Sequence, residues 1–148
     1  MKVQRIIFET IVVLFICLWG YAAFSKIFEY EIFKGQLAKS PLLESTAGFV
    51  AIFLPAIEIV LALMLIFDRT KCAGILASLA LMTIFTVYLI GILTFSKDVP
   101  CSCGGILQNM TWTQHIYFNI GFVLLAIVAL IIVKKTIWGQ NFRRLVRG

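Results

Sequence analysis

Charge is scarce in this chain. Only 14% of its 148 residues are Asp, Glu, Lys or Arg, against about a quarter in an ordinary soluble domain. Hydrophobic residues make up 61%. A chain this short has too little interior to hide that much apolar surface from water. A soluble globular enzyme is therefore excluded, and so is a disordered chain. Acidic residues are scarcer than basic ones, 7 against 13, which leaves a net charge of +6. The Lys and Arg are scattered along an apolar chain. They read as signals of membrane orientation and not as a nucleic-acid-binding face. Cysteine is scarce too, and four dispersed residues do not make a disulfide scaffold.

What the chain has is long apolar runs. About 20 apolar residues are needed to cross roughly 30 Å of hydrocarbon. Four runs qualify, at about 6–27, 47–67, 73–95 and 116–133. Backbone polar groups in lipid must be satisfied within their own segment, so each run is expected to be a helix. The expected fold is an all-α integral membrane protein, an up-and-down bundle of four transmembrane helices forming one membrane domain over residues 1–148. Lys2, Arg5 and the small residues around Gly20-Tyr21-Ala22 also fit a signal peptide. The first run is too long for one and carries Trp19, Tyr21 and Phe24 near its far end, so it is expected to be retained.

Basic residues set the orientation. Lys2, Arg5, Arg69, Lys71, Lys134, Lys135, Arg143, Arg144 and Arg147 share one side; Lys26, Lys34, Lys39 and Lys97 share the other. Nine against four puts both termini in the cytoplasm of a bacterial inner membrane. The loops at about 28–46 and 96–114 then face the periplasm. The tail 134–148 reads as a basic anchor on anionic lipid. Phe24-Ser25-Lys26 and Phe95-Ser96-Lys97 recur at the outer ends of the first and third spans. Both lysines read as snorkelling to the headgroups. Between Glu29 and Lys39, Phe33 and Leu37 lie four apart, with Ile32 and Gln36 beside them. This is a short helix resting on the membrane surface with its apolar side down, ended by Pro41. It is either a lid over the bundle or a surface for a secreted partner.

The most chemically suggestive segment is Pro100-Cys101-Ser102-Cys103-Gly104-Gly105. Two thiols one residue apart close a strained ring, and strain makes a disulfide easier to reduce. Such a bond is a poor staple and a better redox couple. The glycines allow the close approach that a mixed disulfide with a partner needs. An inert disulfide and a metal site are the competing readings. Thiolates favour soft metals. With the single histidine, His115, the pair offers only three ligands, and a structural zinc takes four. Cys17 lies deep in the first span and reads as a small apolar filler; Cys72, at the cytoplasmic start of the third, reads as a reduced thiol.

Thr111 and Gln114 fit a capping box opening the fourth helix. That places His115 in its first turn and Asn119 four residues on, on the same face. A helix N-terminus disfavours a charged imidazole, so His115 is suited to take a proton from a thiol. Alternatively, His115 and Trp112 merely sit at headgroup level. Glu58 falls near the middle of the second span, where a carboxylate must face the bundle and be paired or protonated. Pro55 frees a backbone carbonyl nearby. Thr83 and Thr86 reach a similar depth on the third span and are the expected partners, with Tyr88 somewhat nearer the outside. Glu58 is then a proton relay or a polar contact for a quinone, or else it simply holds helices together. Glu9 is explained by Arg5.

Together these pieces resemble the MauE/DoxX-like redox-associated membrane proteins. The matching residues are Phe24-Ser25-Lys26-Ile27-Phe28, Pro55-Ala56-Ile57-Glu58, Arg69-Thr70-Lys71 and the Cys101-Ser102-Cys103-Gly104-Gly105 loop, and the likeness covers about residues 6–133. The family's namesake role is to assist maturation of methylamine dehydrogenase, whose small subunit is rich in disulfides. The resemblance implies a membrane thiol-disulfide oxidoreductase that handles disulfides or electrons for an exported thiol-containing or thioredoxin-like partner. The architecture is also similar to the four-helix core of DsbB and vitamin K epoxide reductase. That likeness implies a quinone cofactor contacted by Glu58, Tyr88 and Asn119, with Cys101, Cys103, His115 and Glu58 as the working residues. This chain has one outer cysteine pair where those proteins use two, so either a partner supplies the other thiols or quinone is not involved. The alternative functions are a non-catalytic assembly subunit with a structural disulfide, and a metal-handling protein using Cys101, Cys103 and His115.

Overall fold

A computed structural model describes residues 2–39, 43–95 and 112–146. The apolar runs fold as helices, and no strand occurs among the described residues. The elements are α1 (Lys2–Phe28), α2 (Tyr30–Ala38), a single 3-10 turn (Glu44–Thr46), α3 (Ala47–Ile66), α4 (Lys71–Phe95) and α5 (Trp112–Val146). Four stretches are long and apolar enough to cross a membrane: Lys2–Phe28, Glu44–Ile66, Lys71–Thr94 and Thr113–Lys135. Helix α5 does not stop near Val133 but runs on through the basic segment to Val146. No proline interrupts that segment, and nothing in it forces a turn.

The long helices form a ring. α1 packs on α3, α3 on α4, α4 on α5, and α5 back on α1, while α1 and α4 meet only slightly across the diagonal. Sequence neighbours are spatial neighbours, as an up-and-down bundle requires. The centre is filled by Ile11, Val12, Phe15 and Trp19 of α1, Leu61 and Leu65 of α3, and Ile75 and Met82 of α4. Ala126 and Ala129 complete it from α5. Ala23, Ser78, Ala126 and Ala129 are fully buried. Small side chains at these points let helix backbones come close, which is how membrane helices gain packing without a hydrophobic driving force. The outside is as apolar as the inside: Ile52, Phe53, Val60, Leu76, Ile84 and Val87 are exposed. An apolar surface of that extent is tolerable in lipid and not in water.

The α3–α4 hairpin is tied locally. Thr70 Oγ1 donates to the Met64 carbonyl at 2.6 Å and lies 3.2 Å from that of Phe67, satisfying carbonyls at the end of α3. Gly74 then lets α4 approach closely, since a Cβ there would lie 3.0 Å from Leu65 Cδ2. Lys71 Nζ reaches Asp68 Oδ1 at 2.7 Å and Glu9 Oε2 at 2.8 Å. Glu9 is thus paired across helices with Lys71, whereas the sequence spacing pointed to Arg5.

At the opposite end lies α2. Phe33 and Leu37 are buried and pack against Ala47 and Ala51 of α3. The short helix therefore lays its apolar side on α3 and not on the membrane surface as expected; the i, i+4 pattern sets which residues share that side, and the bundle supplies what it meets. Pro41 and Thr111, expected to end α2 and cap α5, lie outside the described residues.

Candidate functional site

Near the α2 end, the bundle interior turns polar. Lys26, in the last turn of α1, is 7% exposed, and Glu58 of α3 is 0% exposed. Lys26 Nζ donates to Glu58 Oε1 at 2.8 Å. It also contacts the Ala22 carbonyl at 3.3 Å and sits 5.7 Å from the centre of the Phe33 ring. One ammonium therefore links α1, α3 and α2. Two charges taken out of water need a partner at hydrogen-bond distance, and each supplies the other's.

This arrangement corrects two expectations. Lys26 does not snorkel to the headgroups; it turns inward because an unpaired Glu58 would cost more than bending one lysine. Thr83 and Thr86 do not serve Glu58. Their hydroxyls donate back along their own helix, to Leu79 and Met82, both at 2.7 Å. A lone acid within a span needs a counter-charge. Lys26 was the basic residue at the C-terminal end of the first span, a signal the sequence did contain.

Within the core, Trp19 Nε1 donates to Ser78 Oγ at 2.9 Å, fully buried. No spacing in the sequence marks this bond. From α5, His115 and Asn119 both point inward and are buried. Four residues apart on one helical face, they reach the same region as the ion pair, as expected.

Lys26, Glu58, Trp19, His115 and Asn119 border one cavity of about 260 Å³. Its polar rim is Lys26, Glu58, His115, Asn119 and Tyr88. Apolar walls come from Trp19, Phe85, Leu89 and Phe118, and α2 covers it with Phe33 and Leu37. Two buried polar atoms facing this region meet no protein partner: Glu58 Oε2 and Asn119 Nδ2. Such atoms are uncommon in native interiors.

The structure thus unites Glu58, Tyr88, His115 and Asn119, and adds Lys26 and Trp19. Cys101 and Cys103 fall in the connection from α4 to α5, outside the described residues. Cys17 and Cys72 are free and exposed. Cys17 therefore faces outward on α1 instead of filling the core. Among the described residues, no three His, Cys, Asp or Glu side chains are grouped to hold a metal ion.

The fold and site define a class: a multi-pass, four-helix membrane protein with a buried ion pair beside a partly open cavity. The family model described as methylamine utilisation protein MauE matches residues 4–132. The chain belongs to the MauE family. No curated protein and no solved structure matches it.

Proposed function

We propose that this chain is a membrane thiol-disulfide redox protein that serves an exported partner in methylamine utilisation. The family description supplies the physiological setting. The observation that carries the chemistry is the position of α5. One turn past its start it brings His115, and a turn later Asn119, both buried, to the cavity beside Lys26 and Glu58. The segment leading into that helix carries Cys101 and Cys103.

In the forward direction the Cys101–Cys103 disulfide accepts two electrons and two protons. A partner thiolate attacks one sulfur, the ring opens to a mixed disulfide, and the second partner thiolate releases it. The partner leaves with a new S–S bond, and Cys101 and Cys103 leave as thiols. His115 takes up and returns the proton as thiols become thiolates. Turnover then needs a two-electron acceptor within the membrane, and a quinone is the carrier of that class. The loop bearing the cysteines faces the periplasm and both termini the cytoplasm of a bacterial inner membrane.

The test is thiol trapping on intact spheroplasts with a membrane-impermeant maleimide, before and after mild reduction. Wild type is compared with Cys101→Ser and Cys103→Ser. Two outer thiols that appear only after mild reduction support the reading. Maturation of the partner that is unimpaired in the double cysteine variant overturns it. Thiols blocked until denaturing reduction point to a structural bond in an assembly subunit. Thiols free without reductant, and protected by zinc or copper, point to metal handling.

A further inference from the structure

We infer that the cavity beside Lys26 and Glu58 seats the head group of a neutral hydroquinone, and holds that reduced form more tightly than the quinone. The seat deepens the reading above by placing its carrier in this cavity and naming the redox state that the site prefers. Its role as electron carrier rests on that reading; its binding does not.

Size is the first argument. A cavity of about 260 Å³ exceeds the roughly 150 Å³ that accepts a benzene ring, and far exceeds one water. Its walls are largely apolar and include Trp19, Phe85 and Phe118, which suits a flat ring.

Charge is the second. Lys26 and Glu58 cancel at 2.8 Å. A charged ligand would leave a net charge in a buried, apolar space, which is costly. The ligand is therefore neutral, and alkylammonium ions and carboxylates are disfavoured.

Hydrogen-bond valence is the third. Glu58 Oε1 is taken by Lys26, and Oε2 is left as an acceptor in need of a donor. Asn119 Nδ2 is a donor in need of an acceptor. A hydroquinone offers both, because a hydroxyl donates to Glu58 and a ring oxygen accepts from Asn119. A quinone offers only acceptors, so its carbonyl satisfies Asn119 and faces the carboxylate oxygen unfavourably. Gaining one hydrogen bond to a charged group favours the hydroquinone by roughly tenfold or more.

The experiment uses the full chain in lipid nanodiscs, with decylubiquinol and decylubiquinone as probes. Trp19 emission is followed in a Trp112→Phe/Trp138→Phe background, and empty discs correct for partitioning. Decylubiquinol should quench saturably, and decylubiquinone should need roughly ten times the concentration. Asn119→Leu should abolish saturation while its thermal midpoint stays at or above wild type, since it removes a polar atom that the protein leaves unpartnered. Lys26→Met/Glu58→Gln, which removes both charges together, should erase the preference for the reduced probe. Unsaturable quenching, equal affinity for the two probes, or unchanged binding in Asn119→Leu overturns the inference. Repeating the titration in Cys101→Ser/Cys103→Ser separates the two readings. Binding that persists there while thiol exchange is lost upholds the seat, and exchange without saturable binding in wild type refutes the seat alone.

Discussion

Lys26 Nζ lies 2.8 Å from Glu58 Oε1, with neither side chain appreciably exposed. The pair joins the last turn of α1 to the middle of α3 beneath α2. Removing one partner leaves the other as an unpaired buried charge. Lys26→Met and Glu58→Gln should each destabilise the protein by about 3–5 kcal/mol. The double variant should recover most of that loss, because no charge is then left alone. Unfolding by SDS titration of the three variants measures the coupling; additive losses would contradict the pairing.

The bond from Trp19 Nε1 to Ser78 Oγ should make a smaller contribution. Ser78→Ala is expected to cost about 0.6 kcal/mol, the average for hydrogen bonds between membrane helices, and no more than about 1.7 kcal/mol. The same titration reads it, and a change in Trp19 emission should accompany it.

Gly74 faces Leu65 Cδ2 at 3.0 Å and Leu65 Cγ at 3.1 Å from where a Cβ would stand. Gly74→Ala requires only that a leucine tip shift. Gly74→Val adds branches that also crowd the α3 backbone, and overpacking of that kind costs about 1–3 kcal/mol. The thermal midpoint should fall clearly for Val and little for Ala; equal effects would place the cost elsewhere.

Asp68 lies outside the spans and is fully exposed. The Lys71 hydrogen bond, and then the Lys71 charge, hold its carboxyl below the usual range. A folded value below the unfolded one adds stability that is complete above the ordinary carboxylate range. That stability is lost as pH falls through the folded value. The effect is small at an exposed pair. Asp68→Asn should barely move the midpoint at neutral pH and should flatten its decline on the acid side. A clear drop at neutral pH would show that Asp68 does more than pair with Lys71.

Much of the fold was legible because hydropathy acts locally. The amphipathic pattern around Phe33 and Leu37 foretold α2 and its buried face, since i, i+4 neighbours share a side whatever lies beneath. His115 and Asn119 were paired by the same rule. Glu58 was legible as a buried group because a carboxylate in a span has few other options. Its partner was not. Depth counting favoured Thr83 and Thr86, but hydroxyls within a helix find their own i−4 carbonyls first, as both do here. Lys26 was misjudged because a long side chain near a span end can reach out or in, and the sequence does not record which.

By itself, then, the sequence determined four membrane-spanning helices, the side on which basic residues gather, and the residue types able to do redox chemistry. Each follows from the solvent each segment prefers or from its own functional groups. Only the tertiary structure decided that Lys26 turns inward to Glu58, that Glu9 pairs with Lys71 and that Cys17 faces outward. It also decided that one cavity collects Glu58, Tyr88, His115 and Asn119. These depend on how four helices rotate against one another, and that rotation is set by close packing of small and large side chains from distant parts of the chain.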